Sequence, residues 1–345
     1  MSVVIPSLRA VVSPAGWVRD ALWRSARAVP SLDLRFADNK SLVDATTGQS
    51  LVTFTRASTG TFVGSDGVLQ TAVTDAPRFD HNPTTGESLG LLVEEARTNR
   101  VTNNTGVGAV AGTPGTLPTN WLWNTTGGAS SQVVGTGTED GISYVDVRLF
   151  GTTTFGASLQ FCANTAIAAV QNQTWTESFY CKLVSGSINP FASLRLVERS
   201  SAGSYLTEGN VAFTPGASLT PLARSRFTFT RTLTNVLTAY VVPAILFDYI
   251  GTVDFTLRIG LPQLEQGAFA TSVIPTTTAA ATRAADVASI TGSAFSSWYS
   301  QSEGTMFADV ARSPAVALRY PNIALLNDGT GSNRIQIYGL DYGDR

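Results

Sequence analysis

Charge is scarce in this chain. Asp, Glu, Lys and Arg together make up 14% of its 345 residues, against roughly 25% in an average soluble protein. It has one histidine, His81, and two cysteines, Cys162 and Cys181. Two thiols and one imidazole do not make a convincing zinc site within one chain, and one cysteine pair is no disulfide scaffold. Both thiols are therefore expected to be free and buried, acting as small apolar side chains. A Ser-His-Asp arrangement has no supporting spacing, and no glycine loop carries the lysine of a phosphate-binding loop. A net charge of −2 with no basic block argues against nucleic-acid binding. No run of 18 apolar residues predicts a transmembrane helix, and the N-terminus lacks the charged and apolar regions of a signal peptide. Synthesis in a cytoplasm without export is the simplest expectation, with no metal, cofactor or membrane insertion.

Threonine, serine, alanine and glycine fill the gap left by charge, a composition suited to β-branched strands and polar turns. The exception is residues 1–31. There SPAGWVRDALWRSARAVP places Ser13 as N-cap and Pro14 at the first helical position, predicting an amphipathic helix over 14–29. Trp17, Val18, Ala21, Leu22 and Val29 fall near one face, which docks on a protein partner or sister chain, a membrane surface, or the rest of the chain.

Residues 32–100 read as a small β-rich attachment module. Within it, LDLRF and LVTFTR alternate, and TGTFVGSDGVLQTAV forms a hairpin turning at Ser65 to Gly67. Residues 101–120 are Gly/Thr/Pro-rich, a linker or an ordered loop. Residues 121–288 read as one β-sandwich with strands at 142–150, 157–163, 174–184, 192–199, 226–232, 236–242 and 253–261. TTTAAATRAA is flexible or extended, and 289–345 begins a further strand-rich block that looks incomplete. The fold class is mostly β: a jelly-roll or sandwich domain behind a small β module and an N-terminal helix.

The scarce charges invite a catalytic reading, above all in PRFDHNPTTGESLGLLVEEARTNR. Glycoside hydrolysis needs two carboxylates about 5–9 Å apart. The candidates are Asp80, Glu87, Glu94, Glu95, Glu177, Glu198, Glu208 and Asp248. Asn82 to Gly86 reads instead as a tight turn, His81 as a turn residue rather than a base, and the charges as latches. Arg56 and Arg97 are expected to pair with Glu94, Glu95 or Asp80, and Glu265 with Arg283 or a backbone donor. Glycan binding is better supplied, because sugar C–H faces stack on aromatic rings. Trp121, Trp123, Trp175, Tyr180, Tyr205 and Tyr240 are the candidate contacts, each competing with a place in the core.

The run from LDLRFADNKSLVDATTGQ to GLLVEEARTNR, with Phe54 to Ser58 and Glu94 to Asn99 inside it, resembles a segment of tailed-bacteriophage appendage proteins, including tail fibres and spikes of marine and cyanobacterial phages. IGLPQLEQGAFATSVIPTTTAAATRAADVASI resembles the end of the sandwich that follows it there, with Pro262 to Glu265 in its last strand. The middle portion is similar to carbohydrate-binding-module jelly rolls, and the block from Glu303 to concanavalin-like or laminin-G-like sandwiches. The resemblance implies a virion structural protein, a proximal fibre or adaptor in head or tail, attached through its N-terminal segment to portal, tail or capsid and arranged as a homotrimer. It carries no catalytic residue. The alternatives are a lectin-like binder of host surface polysaccharide and a glycan-degrading spike.

Overall fold

The computed structural model describes residues 29–125, 127–154, 156–188, 192–308, 322–327 and 334–338. The expected helix, with Trp17, Val18, Ala21 and Leu22, lies outside them, while Val29 is described and highly exposed. Phe54–Val287 form one compact unit, and the described residues flanking that span belong to another. Short strands come first: β1 (Thr53–Thr55), the hairpin of β2 (Gly60–Val63) and β3 (Leu69–Ala72), the pair β4 (Phe79–His81) and β5 (Ser88–Leu91), and β6 (Arg97–Asn99).

The sandwich is built from β7 (Leu122–Thr125), β8 (Ser130–Glu139), β9 (Ile142–Thr153), β10 (Ala157–Gln160), β11 (Thr174–Gly186), β12 (Ala192–Arg199), β13 (Tyr205–Phe213), β14 (Arg226–Thr232), β15 (Tyr240–Phe247) and β16 (Gly251–Gln266). Sheet I has the order β13-β12-β15-β10-β7 and sheet II the order β14-β11-β16-β9-β8. All the pairings within them are antiparallel. Thereafter β17 (Ala281–Arg283) pairs with β6, followed by β18 (Val287–Ser289). In the other unit a one-turn helix, Gly292–Ser296, carries Phe295, on which Tyr299 beyond the helix end stacks, and Asn322–Asn327 pairs with Arg334–Tyr338.

Strand alternation explains the core. On β11, Trp175, Phe179 and Cys181 turn inward, meeting Leu194 and Leu196 of β12, Val241 and Ile245 of β15, and Leu257 and Ile259 of β16 in one buried cluster. Both cysteines are free and buried. Burial pushes the Cys162 thiol up to about 12, so it stays neutral and unreactive at ordinary pH. The expected strand at 236–242 is displaced to Tyr240–Phe247. The Glu198 carboxylate accepts the N–H groups of Thr234 and Asn235 and the Thr238 hydroxyl, fixing residues 234–238 as a turn.

Residues 54–100 pack on the outward side of sheet II. There Thr176, Ser178, Gln263 and Glu265 alternate away from the core yet are all at most 1% exposed. Asn99 stitches the contact: its Oδ1 accepts the N–H of Leu264 and its Nδ2 donates to the Ile274 carbonyl. The fastening is a buried charge cluster. Asp286 accepts from Arg56 (3.1 Å) and from Arg78, all three side chains being fully buried. Glu94 meets Arg78 (2.9 Å) and Arg283 (3.3 Å) and accepts both N–H and O–H of Ser272. Backbone and side chain interlock, because Asp286 N–H donates to the Glu94 carbonyl while Glu94 N–H donates to the Asp286 carboxylate. Three arginines face two carboxylates here. Further N–H groups go to carbonyls of Ser58, Val73 and Ala76 around Arg56, and of Glu95 beside Arg283, while the Nε groups of Arg78 and Arg283 have no partner among the described residues.

The expected ion pairs are thus reassigned in part. Arg56 pairs with Asp286, which the sequence reading did not select, because β-strand returns bring position 286 back beside the module. Asp80 takes no arginine; its Oδ1 accepts the Val63 N–H at 2.7 Å, and burial raises its pKa. Arg97 pairs with Glu95 and stacks over Phe269. Glu265 accepts the Thr271 N–H at 2.9 Å, the backbone-donor alternative, and Arg283 pairs with Glu94 instead. Removing one partner of a buried pair leaves the other charge desolvated and typically costs about 3–5 kcal/mol. Asp286→Ala should therefore destabilise the Phe54–Val287 unit by about that much in denaturant unfolding. A loss below about 1 kcal/mol would show that the cluster does not fasten the module.

Candidate functional site

The outward side of sheet I is mostly buried along its central strands, Val197, Val242 and Ala244 being inaccessible, and it opens to solvent at its ends and edges. Register places Tyr205 of β13, Arg199 of β12 and Tyr240 of β15 in one lateral row. Arg199 and Tyr240 are directly paired and so project to the same side, while a bulge after Glu198 brings Tyr205 opposite Arg199, close enough for its phenol to act on the guanidinium. Further along, Asn210, Arg195, Ala244, Gln160 and Leu122 make a second row, and Ala212, Ser193, Leu246, Ser158 and Asn124 a third. Ser158, Gln160, Ser193 and Ala244 lie low and buried, whereas Asn124, Asn210 and Leu122 are exposed. Tyr205 is 53% exposed and Tyr240 half-buried. The two phenol rings bracket a guanidinium at one end of the face, and the buried Val197–Val242 pair separates them from the amide and hydroxyl rows.

The charges on this face are unequal. Arg195 donates Nε (2.8 Å) and Nη2 to Glu208. Arg199 has a single long bond from Nη1 to the Gly203 carbonyl, 3.5 Å, and its Nε is buried without a partner. Burial, then the neighbouring charge of Arg195, lowers the pKa of Arg199, though an arginine remains a cation at neutral pH. Gly203 takes φ 76° in the turn between β12 and β13, a backbone state that glycine adopts without strain. Asn164 stands beside it: a Cβ built on Gly203 would lie 3.7 Å from the Asn164 Cβ, and Asn164 Oδ1 is also unpartnered.

The six aromatic candidates separate cleanly by burial. Trp121 is 4% exposed, packs edge-on against Phe161 at 4.9 Å and donates Nε1 to the Asn103 carbonyl. Trp123 is half-buried on Phe247 with Nε1 on the Ala129 carbonyl, and it lines a small apolar cavity between the sheets with Phe247 and Phe255. Trp175 is a core residue at 2%. Tyr180 is 4% exposed, beneath the attachment module, with Arg226 over its ring. In this structure none of these four presents a free ring face; their places in the strand alternation turn them inward or under the module. Tyr205 and Tyr240 remain, and the structure brings them to one row. Arg195 and Arg199 were missed by the sequence reading, although their odd-numbered positions opposite inward Leu194, Leu196 and Glu198 carried the signal.

Most of the candidate carboxylates have structural employment. Glu198 is held below its ordinary range: burial would raise it, but the Thr238 and Arg231 bonds and the 234–235 N–H groups outweigh that. Glu94 is likewise lowered, with the Arg283 and Arg78 charges overcoming burial. Glu208 serves Arg195 and Glu95 serves Arg97, while Glu87 and Asp248 are exposed. His81 ends β4 rather than lying in the turn, its Nδ1 3.0 Å from the Val63 carbonyl. Asn82 begins the turn and accepts the Thr84 and Thr85 N–H groups. Among the described residues no group of three His, Cys, Asp or Glu side chains could hold a metal, and no helix is long and apolar enough to cross a membrane.

Glu177 is different. It sits at an inward position of β11, fully buried, and neither carboxylate oxygen has a hydrogen-bond partner. Desolvation drives its pKa well above the ordinary 4.5, the nearby N–H groups of Arg195 and Ala244 opposing only weakly, so it is held as a neutral acid.

No protein-family profile matches the chain, and no curated protein matches it. Solved structures similar to it include the enzymatically active domain of bacteriophage CBA120 tailspike protein 4, 12% identical over 42% of this chain and 19% of that one, with a TM-score of 0.29. The CBM22-1 xylan-binding domain of a Paenibacillus barcinonensis protein is 14% identical over 50% of this chain and 94% of that one, TM-score 0.30. CtCBM11 is 17% identical over 48% and 97%, TM-score 0.31. The chain thus spans less than a fifth of the tailspike domain and nearly all of the two smaller modules.

A raised folded-state pKa means that stability is complete below the unfolded value and is lost as pH rises towards the folded one. Glu177→Gln removes that loss. Its melting temperature relative to wild type should climb progressively above pH 4.5 and level off below it, as read by thermal unfolding from pH 4 to 9. A difference independent of pH would mean that Glu177 titrates normally.

Proposed function

We propose that this chain is a non-catalytic, glycan-binding component of a bacteriophage virion appendage, its sandwich directed at host surface polysaccharide. The observation that carries the binding part is the Tyr205–Arg199–Tyr240 row at one end of sheet I, with the exposed amides of Asn210 and Asn124 further along the same face. Phenol rings supply apolar faces for sugar C–H groups, and the amide and hydroxyl side chains supply donors and acceptors for sugar hydroxyls. Employment of most candidate carboxylates elsewhere supports binding over hydrolysis, since a glycosidase needs two of them free across a cleft. The virion part rests on the resemblance of residues 32–100 and 259–290 to phage appendage segments, which also implies virion partners and a trimer.

Titration calorimetry of the full chain against a panel of bacterial surface polysaccharides tests the binding part. Wild type should bind at least one of them, and Tyr205→Ala should weaken that binding about 3- to 10-fold, an aromatic stacking contact being worth roughly 0.5–1.5 kcal/mol. An unchanged affinity in Tyr205→Ala, or no binding by wild type at millimolar sugar, would leave the sandwich a purely structural projection.

A further inference from the structure

Of the buried arginines Arg56, Arg78, Arg199 and Arg283, only Arg199 lacks a carboxylate partner among the described residues; the half-buried Arg226 also lacks one but is satisfied by neutral acceptors. Arg56 and Arg78 share Asp286, Arg283 has Glu94, and Arg231 has Glu198. Arg226 donates to Ser178 and to the Thr271 carbonyl and lies over Tyr180. Arg199 is 9% exposed and has no ionic partner among the described residues. Its one hydrogen bond among the described residues is the long contact to Gly203, and its Nε is unpartnered, as are those of Arg78, Arg226 and Arg283. The nearest carboxylate, Glu208, is bonded to Arg195, so two guanidinia share one negative charge and the row between Tyr205 and Tyr240 is net positive. A desolvated cation held without its counterion is costly. Guanidinium geometry matches a carboxylate in a bidentate fork, and the flanking rings and Asn164 suit a sugar ring rather than a bare anion.

We propose that Arg199 anchors the carboxylate of an acidic sugar, making sheet I a reader of uronate-containing glycans. The assignment rests on the glycan-binding reading above and narrows its ligand class. Tyr205 and Tyr240 hold the pyranose on either side of the guanidinium, and Glu208 restrains Arg195 so that one cation is offered rather than two.

The test uses the full chain and tetramers of galacturonate, glucuronate, mannuronate and guluronate, each beside its carboxyl-reduced counterpart. Calorimetry should show at least one acid bound about tenfold or more tighter than its reduced form, as a charge-assisted hydrogen-bonded pair provides. Arg199→Gln should bring that ratio close to one. Glu208→Gln, which frees Arg195, should increase it several-fold, so the inference remains testable even if Arg199→Gln folds poorly. The proposal is overturned if no acid is preferred over its reduced form, or if Arg199→Gln folds and keeps the preference. If acid and reduced forms bind alike, glycan binding stands and only the uronate assignment falls; if neither they nor the polysaccharide panel bind, both readings fall.

Discussion

Asp286, buried between Arg56 and Arg78, is the contact on which the organisation of the larger unit depends. It joins positions 230 and 208 residues apart, so it forms only when the sandwich has closed and the chain has returned beside the attachment module. Long-range contacts of this kind are entropically costly to close, and hydrophobic burial in the sandwich core meets most of that cost. The ion cluster adds direction to it. An apolar contact would tolerate sliding between module and sheet, whereas a fork of N–H groups on one carboxylate accepts a single arrangement.

That arrangement has a functional consequence. By seating residues 54–100 against Thr176, Ser178, Gln263 and Glu265, the cluster withdraws half the outward side of sheet II from solvent. The rest of that side is occupied with its own pairing, Arg258 with Asp146 and Glu139, Lys182 with Glu139, and Arg148 with Asp254. On sheet I the unpaired polar groups are concentrated at one end, at Arg199 and Asn164. In a chain so poor in charge, the carboxylate-paired arginines Arg56, Arg78 and Arg283 beneath the module contrast with Arg199 on the opposite sheet, which has no carboxylate partner among the described residues.

Much of the fold was legible in the sequence because central strands such as β9, β11, β12 and β16 carry dense apolar alternation. The strands that escaped, β7, β8 and β13, all lie at sheet edges, where one side of the strand needs no apolar partner and polar, glycine-containing segments such as SSQVVGTGTE suffice. The site was harder to see. Tryptophans invited a ligand role by residue type alone, but burial is decided by which face each strand position occupies, and that depends on pairing partners distant in sequence. Tyr205 and Tyr240 are 35 positions apart and meet only because β12 lies between their strands. Asp286 escaped for the same reason: it follows directly on TTTAAATRAA, whose composition gives no sign of the return that brings position 286 beside Arg56 and Arg78.

The central claim is that the fastened sandwich leaves sheet I, and not sheet II, to meet its ligand. A structure of the full chain with a bound oligosaccharide tests it most directly. The account predicts density for a sugar ring against Tyr205 and Tyr240, with an acidic group on the Arg199 guanidinium. A sugar bound instead over Tyr144, Arg148 and Phe150 on the outward side of sheet II would contradict it.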